Sequence, residues 1–529
     1  MTDSLAATDL QSSNKWLREA VAFFARPVQI VVAYRRADLR PDLIAGLTVA
    51  VVMLPQAIAY ALIAELPPQM GLYAAVVAST IGALWGSSRY LHTGPTNAAS
   101  LLVLSTLATI AVPGTPLYVA AAGLLAVMAG MARLAMGLAR LGTLVHFVSD
   151  SVIVGFTAGA AVLIAAGQIR HLLRLQVGSS THFLRTLADA WVRLPELHTP
   201  SLLLGLGVIG VTALLSWLRP AWPSALIGMC SSALTVALLP LQQQGVVVLS
   251  QLPRTLPPLA HLPIFDLELI GRLSTGALAL TLLGLVEAVS ITRTIASHSA
   301  EHLDSNQEFV GQGLANVAAG FFSGYPSSGS FIRSAINYNS GARSPLAAVF
   351  TALFVLLAAL LFAPLAAYLP RAAVAGVLIV TSYQMIDRRE MRRIWHTSRG
   401  DSVIMIATFL ATLLLPLEFA ILAGVLVSFG RYIAKTSAPD VHSMLPDERF
   451  EHFVYRPEQP VCPQLGVLTI EGSLYFGACH HVEEQIRGNM VAHPGQKYLL
   501  LRMHRVNLID ISGLHTLESL VRYMRDQDG

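Results

Sequence analysis

The chain is dominated by long apolar runs separated by short charged or Pro/Gly-containing breaks. Between those breaks, the runs predict seven membrane spans in the first half, at residues 42–63, 70–86, 94–111, 116–138, 143–168, 201–218 and 222–240. They predict seven more in the second half, at residues 274–297, 307–323, 328–341, 344–367, 371–386, 401–415 and 416–435. Because a helix needs about 20 apolar residues to cross a hydrocarbon core, one such run is ambiguous, but a dozen are not.

The two sets of spans correspond to each other along the chain. The first and eighth spans, like the third and tenth, are offset by about 230 residues, and short or interrupted segments at corresponding positions are typical of inverted repeats with a midplane binding site. Each set has an odd number of spans, so the second half is expected to be inverted in the membrane. The predicted fold class is an α-helical polytopic membrane protein with fourteen spans in two inverted seven-helix repeats.

Composition excludes a soluble globule. Of the 529 residues, 54% are hydrophobic and 12% are charged, against about 25% charged residues in ordinary soluble proteins. Three scattered cysteines and sixteen histidines without metal-ligand spacing predict no disulfide framework, metal site or cofactor. The net charge of +4 is typical of arginines that anchor cytoplasmic loops, so nucleic-acid binding is not expected. No nucleophile–base pair or phosphate-binding loop indicates an enzyme.

The distribution of basic residues predicts the orientation, because short cytoplasmic loops carry the excess of Lys and Arg. With a cytoplasmic N-terminus, the basic residues that fall inside are Arg133, Arg140, Arg219, Arg343, Arg388, Arg389, Arg392, Arg393, Arg399, Arg431 and Lys435. The loop at 170–200 disagrees, since its arginines would lie outside; either it packs as an interfacial helix or one boundary is wrong. No signal peptide is predicted. We expect a bacterial inner-membrane protein with both termini in the cytoplasm.

The domain organisation follows from these changes in composition. Residues 1–41 are predicted to be a cytoplasmic segment and residues 42–435 a membrane domain with repeats at about 42–240 and 274–435. Residues 436–463 are polar and proline-bearing, as a linker is. Residues 464–529 predict a small α/β domain, with strands at 467–470 and 498–502, a helix at 480–487 and another helix opening at 509–514. Such a sheet needs further elements, so we expect this domain to be truncated at Gly529.

The two interrupted spans predict an anion site. If the third and tenth helices begin near the midplane and face each other, their free backbone N–H groups and helix dipoles attract a negative charge. Pro95 suits a first helical turn, and Thr96, Ser328 and Ser330 can cap a helix or donate a hydroxyl. Arg333 follows within one turn. A lone arginine at this depth costs about 2.5–3.5 kcal/mol, so it should face a cavity, snorkel or pair with a carboxylate.

Three further side chains are candidates for the walls of this cavity. Gln56 and Tyr60 are four residues apart on one helix face, where they offer an amide and a phenol hydroxyl. The alternative for both is plain interhelical packing. Phe331 is expected to line the opposite wall.

Glu287 is the only carboxylate in the apolar stretch 277–291, and the repeat offset places it opposite Gln56. A buried carboxylate is costly while charged, so binding of a proton is favoured. This indicates proton coupling, with sodium coupling or exchange left open. The alternative is a static partner for Arg293 or Arg333.

Several motifs along the chain are distinctive: LPQAIAYA at 54–61, LPP at 66–68, GLY at 71–73, GSSR at 86–89, GPT at 94–96, GFTAG at 155–159, NQE at 306–308, GLAN at 313–316, GSF at 329–331 and RS at 333–334. Together they resemble the SulP family of sulfate permeases and related anion transporters. The similarity extends from about residue 37 to 435, and the C-terminal piece resembles the family's STAS domain. The resemblance implies core and gate domains, a homodimer, and a substrate bordered by Gln56 and Tyr60. Ile332 departs from the small polar residue of many relatives, which leaves the substrate open.

Residues 510–514 resemble the loop that holds the phosphorylated serine of anti-sigma factor antagonists, which makes Ser512 a candidate for regulatory phosphorylation. The alternative is that Ser512 is a helix N-cap. The resemblance as a whole implies a secondary transporter of small anions that works by alternating access. Sulfate is the first choice, followed by bicarbonate or a C4-dicarboxylate such as fumarate. The competing hypothesis is a non-transporting membrane sensor that signals through the STAS-like domain.

Overall fold

The structure is a computed structural model, and it describes part of the N-terminal segment and nearly all of the rest of the chain. The described residues are 25–142, 149–175, 183–219, 222–299, 301, 303–449, 451–456 and 458–529. Most of the predicted N-terminal segment and the first residues of the predicted fifth span lie outside them. The chain divides into two compact units, the first ending at Val425 and the second extending from Leu426 to Gly529.

Helices make up the first unit, and the last of them continues past Val425. In chain order they are α1 (Leu39–Ile63), α2 (Pro68–Trp85), α3 (Asn97–Ala108), α4 (Pro116–Leu138), α5 (Asp150–Leu173), α6 (Phe183–Val192), α7 (Thr199–Leu218), α8 (Ser224–Leu238), α9 (Leu267–Ser299), α10 (Ser305–Phe321), α11 (Phe331–Asn339), α12 (Leu346–Phe362), α13 (Arg371–Met385), α14 (Arg388–Thr397), α15 (Arg399–Leu414) and α16 (Leu417–Thr436). Every one of the fourteen predicted spans corresponds to one of these helices. The additional helices are α6 and α14. By length and composition, seven helices of the described chain can cross a membrane.

Helix α6 occupies part of the loop at 170–200, whose arginines disagree with the predicted orientation. It is short and amphipathic, with Trp191 exposed, and Arg185 forms an i,i+4 ion pair with Asp189. An amphipathic helix is what the interfacial-helix alternative requires, and its position at a membrane surface remains a prediction. Arg170 lies on α5 and is ion-paired with Glu65, which follows α1, so this arginine is held by a carboxylate of the same unit.

Two very short strands connect the halves of the first unit. Strand β1 (Thr93–Gly94) precedes α3, strand β2 (Ser328–Gly329) precedes α11, and the two pair antiparallel with Thr93 opposite Gly329. Helices α3 and α11 are therefore short helices that begin side by side. The tenth span was predicted to begin at residue 328, but extended backbone occupies 328–329 and the helix begins three residues later.

Close backbone packing between α4 and α10 fixes the position of the polar residues near these strands. A Cβ atom added at Gly130 would lie 2.7 Å from the Gly313 carbonyl oxygen, and one added at Gly320 would lie 2.5 Å from the Gly123 carbonyl oxygen. Small residues at such positions allow two membrane helices to approach closely. The side chains that α4 and α10 carry are consequently held in a fixed relation to each other.

The second unit is a small α/β domain. Strand β6 (Leu465–Glu471) lies between β3 (Asp440–Ser443), which is antiparallel to it, and β7 (Tyr498–Arg502), which is parallel. A separate hairpin pairs β4 (Leu445–Pro446) with β5 (Phe453–Val454). Helices α17 (Cys479–Ala492) and α18 (Ile511–Asp526) complete the unit. The region predicted as a linker thus contributes a strand to the sheet, which its polar composition concealed.

The core of this unit is formed by apolar residues from the sheet and both helices, including Leu468, Ile470, Val482 and Leu520. Helix α18 is capped by Asp510, whose Oδ1 accepts from the Gly513 backbone N–H at 2.8 Å. The alternative interpretation of Ser512 as the N-cap is therefore wrong. This backbone hydrogen bond is the main reason that the pKa of Asp510 is lowered.

Candidate functional site

The starts of α3 and α11 are held together by caps and by backbone hydrogen bonds. Thr96 caps α3 by accepting from the Ala99 N–H at 3.3 Å, and Ser330 caps α11 by accepting from the Arg333 N–H at 3.4 Å. The Ser330 N–H donates in turn to the carbonyl of His92 at 3.0 Å, beside the strand pair. Two helix N-termini therefore face one region, where unpaired N–H groups and the two dipoles favour an anion.

Pro95 has a role other than the one predicted, and of the two roles predicted for Ser328 the structure shows the hydroxyl donor and not the cap. Pro95 lies before the Thr96 cap and not in the first turn of α3; its carbonyl accepts from Arg333 Nη1 at 2.9 Å. Ser328 does not cap α11, because it lies in β2, and its hydroxyl donates to Glu287. The local sequence indicated polar groups at the helix starts, but their partners come from distant parts of the chain.

Arg333 is the main positive charge of the site. Only 1% of this residue is exposed, and its Nη1 donates to Pro95 O and, at 3.4 Å, to Gln56 Oε1. Within the described part of the chain, its Nε and Nη2 atoms have no hydrogen-bond partner. Unpartnered donors of a buried guanidinium are costly, so an incoming anion that accepts from them is stabilised.

The predicted wall residues have different environments. Gln56 and Tyr60 are both buried on α1, where Gln56 contacts Arg333 directly and Tyr60 interacts with it electrostatically. Phe331, the first residue of α11, is 50% exposed, and no described hydrogen bond or ring contact connects it to the arginine. Helices α1 and α11 thus bring Gln56 and Tyr60 close to Arg333, while the predicted wall position of Phe331 remains a prediction.

Glu287 lies on α9 next to the second strand. Its Oε2 accepts from the Ser328 hydroxyl at 2.8 Å, and the carboxyl group interacts electrostatically with Arg333 and with Arg133. The direct partner of Glu287 is therefore a neutral hydroxyl adjacent to the helix start. The protonation of a carboxyl group in this position depends on the net charge of the surrounding site.

Arg133 was assigned to a cytoplasmic loop by the sequence, and this prediction is wrong. It is fully buried on α4, with Nη1 donating to Ser327 O at 2.8 Å and Nη2 to Leu280 O at 2.5 Å. The apolar run around it ends soon afterwards at Arg140, so the pattern along the chain resembled a span end. The packing of α9 and α10 over this part of α4 was not visible in the sequence.

His92 is a second residue that the sequence did not single out. It is completely buried just before β1, and neither ring nitrogen has a hydrogen-bond partner among the described residues. Its backbone N–H donates to the Ser334 hydroxyl at 2.9 Å, which ties the β1 segment to the first turn of α11. In the described part of the chain, no group of three or more His, Cys, Asp or Glu side chains is arranged to hold a metal ion.

Ser512 belongs to the second unit. It is partly exposed in the first turn of α18, two residues after the Asp510 cap. Its accessibility is compatible with phosphorylation, which remains a prediction.

Comparisons with known sequences cover both units. The model of the Sulfate permease family matches residues 39–408, and the STAS domain model matches residues 456–529. The "Putative sulfate transporter YvdB" of Bacillus subtilis (strain 168) is 31% identical over 502 residues, covering 94% of this chain and 91% of that protein. "Sulfate transporter 4.1, chloroplastic" of Arabidopsis thaliana is 29% identical over 510 residues, covering 92% of this chain and 74% of that protein.

Solved structures resemble the chain along most of its length. The structure of SLC26A9 superposes with a TM-score of 0.87 at 19% identity, covering 97% of this chain and 87% of that chain. The transmembrane domain of the cyanobacterium bicarbonate transporter BicA gives a TM-score of 0.65 at 25% identity, covering 75% of this chain and 98% of that chain. The likeness to SLC26A9 establishes the fold: a polytopic helical domain of two inverted seven-helix repeats followed by a STAS domain.

Proposed function

We propose that this chain, which belongs to the sulfate permease family, is a secondary active transporter of small anions that works by alternating access. Membership of a family of anion transporters, with relatives described as sulfate transporters, supports the general activity. The transported species, the coupling ion and the transport cycle are the parts that we infer.

The observation that carries the proposal is the buried guanidinium of Arg333 at the paired helix starts. Two of its donors are without a described partner, and both adjoining helices direct their N-termini toward it. An anion that binds here gains charge-assisted hydrogen bonds and the field of two helix dipoles. Buried polar groups generally have hydrogen-bond partners, so two open donors on one fully buried guanidinium favour a bound anion.

Sulfate is our first choice of substrate, and the relatives named as sulfate transporters support it. Bicarbonate and C4-dicarboxylates are the alternatives, the former because of the likeness to a bicarbonate transporter. Next to Arg333, Ile332 offers no hydroxyl, so backbone N–H groups, the Ser330 hydroxyl and the Arg333 guanidinium are the donors that α11 contributes.

The position of Glu287 beside the proposed site supports proton coupling. An anion that enters a cell with a negative interior needs a cation with it, and a carboxyl group within electrostatic reach of Arg333 can carry that proton. Sodium as the coupling ion is the alternative. Protonation removes a negative charge from the region that the anion enters, so proton and anion binding reinforce each other.

The setting of this activity is also part of the proposal. The arginines of α14, which lies directly between α13 and α15, favour placing this end of the helices in the cytoplasm of a bacterial inner membrane, together with both termini. We further propose that α1–α4 and α9–α12 form the core and the remaining membrane helices the gate. A homodimer is the assembly that the family resemblance implies.

The decisive experiment is uptake of labelled sulfate, bicarbonate and fumarate into proteoliposomes, with and without an inward proton gradient. We expect saturable uptake of at least one anion, which the gradient accelerates, and reduced uptake for Gln56→Ala, since the amide positions Arg333. Arg219→Gln, at the end of α7, is the matched control and should transport like the wild type. Absence of flux for every anion would support the sensor hypothesis instead, and wild-type flux for Gln56→Ala would refute its place in the site.

A further inference from the structure

Arg133 connects two segments that border the proposed anion site. Through Nη1 it binds the carbonyl of Ser327, which directly precedes β2, and through Nη2 it binds the carbonyl of Leu280 on α9. The Ser327 backbone is also held by Asn316 of α10, which donates to its carbonyl at 3.0 Å and accepts from its N–H at 2.8 Å. The Arg133 guanidinium is therefore fixed to the residue that directly precedes β2.

Among the residues that the structure describes, no carboxylate is bonded to Arg133. Its described hydrogen-bond acceptors are neutral carbonyl groups, and its Nε atom is buried without a described partner. A Cβ atom at Gly284 would lie 2.1 Å from Nη2, so the guanidinium lies flat against α9 one turn before Glu287. An arginine at membrane depth is costly, and two carbonyl groups do not neutralise it.

Glu287 is the charged group that interacts with Arg133 electrostatically, and it interacts with Arg333 as well. From α10, Arg133 meets the neutral amide of Asn316 at the shared Ser327 carbonyl. While Glu287 is ionised, the side chains of Arg133, Arg333 and Glu287 together carry one net positive charge. When Glu287 is protonated, they carry two.

We propose that Arg133 is a second fixed positive charge of the anion site and that it makes the site selective for divalent over monovalent anions. This inference rests on the proposed transport function and specifies the charge of its substrate. A dianion that enters together with one proton meets two compensating positive charges, whereas a monoanion leaves one of them uncompensated. Arg133 acts at a distance, so it is a specificity-determining residue and not a direct ligand.

The size of the effect follows from Coulomb's law. One additional ligand charge at a separation on the order of 10 Å from a fixed charge, at an effective dielectric constant of about 20, changes affinity by roughly tenfold. Removing the Arg133 charge should therefore reduce the preference for a dianion over a monoanion of similar shape by about this factor.

The test compares pairs of anions that differ in charge but little in shape: sulfate with methanesulfonate, and fumarate with its monomethyl ester. Binding and proteoliposome uptake of whichever pair the wild type accepts are measured for Arg133→Gln and Arg133→Lys. Arg140→Gln is the control, because this arginine is exposed just beyond the end of α4. We expect a roughly tenfold fall in the dianion-to-monoanion ratio for Arg133→Gln, and a near wild-type ratio for Arg133→Lys and Arg140→Gln.

Two outcomes would overturn the inference. If Arg133→Gln weakens binding of the dianion and of the monoanion by the same factor, the residue acts only in packing. The same holds if Arg133→Lys, which keeps the charge, loses the preference for the dianion together with the hydrogen bonds to Ser327 and Leu280. If the wild type itself prefers monoanions, charge selectivity of this kind is absent although anion transport stands. Absence of all anion flux refutes the proposed function instead. Should Arg133→Gln fail to fold, Arg133→Met, which also removes the charge, is measured in its place.

Discussion

Replacing Arg333 with alanine removes the guanidinium from the proposed site while leaving the helix start intact. The cap of α11 is formed between the Ser330 hydroxyl and the backbone N–H of residue 333, which alanine keeps. The side chain itself makes one hydrogen bond to Pro95 O, at 2.9 Å, and a longer one to Gln56 Oε1, at 3.4 Å. We therefore expect the variant to fold and to lose anion binding.

The loss can be sized from the two donors that have no described partner, Nε and Nη2. Hydrogen bonds that involve a charged group contribute about 1.5–3 kcal/mol each, so two of them correspond to about 3–6 kcal/mol of binding free energy. This predicts that the dissociation constant rises by at least about a hundredfold. Arg333→Lys should recover only part of the affinity, because an ammonium group does not reproduce the guanidinium fork.

The assay is equilibrium binding of labelled sulfate, or of whichever anion is transported, to purified protein, with thermal unfolding as the check on folding. Arg343→Ala is the matched control: that arginine is exposed near the start of α12 and pairs with Asp38, so its loss should leave affinity unchanged. Wild-type affinity in a folded Arg333→Ala variant would refute the assignment of this residue and the role of its unpartnered donors.

Three other outcomes follow from the structure. Glu287→Gln should abolish acceleration of uptake by an inward proton gradient while sparing anion exchange, and a full gradient response in that variant would make Glu287 structural. Deletion of residues 437–529 should preserve anion binding, since every proposed ligand precedes them; loss of binding in a monodisperse deletion variant would contradict this. Gly284→Ala should lower the thermal unfolding midpoint because its Cβ would meet Arg133, whereas Gly271→Ala, with open space around it on the same helix, should not; equal midpoints would refute the close contact.

The features that could be predicted are those encoded over short distances. Apolar runs located each of the fourteen membrane helices, and Thr96 and Ser330 were recognisable as caps because capping depends on residues within one turn. The membership of Arg333 in a polar site also followed from local sequence, since a charge near a predicted midplane needs polar surroundings. In the structure Arg333 contacts Gln56 directly, and that the two side chains border an anion remains a prediction.

The features that could not be predicted depend on contacts between distant segments. Arg133 looked like a loop anchor because its neighbours along the chain are those of a span end, yet α9 and α10 bury it completely. His92 gave no signal at all, because an isolated histidine carries no spacing. The strand at 440–443 could not be recognised from the sequence, because only its partner β6 has the apolar character of a buried strand.

The pairing of β1 with β2 has a consequence for the order in which the protein is assembled. The partners of residues 93–94 are residues 328–329, so strand β1 has no strand to pair with until the second half of the chain has been synthesised and inserted. Until then, the backbone N–H and C=O groups of β1 lack the partners that β2 provides, and unpaired backbone groups are costly in hydrocarbon. The region of the proposed anion site can therefore be completed only after residues 328–329 have been synthesised.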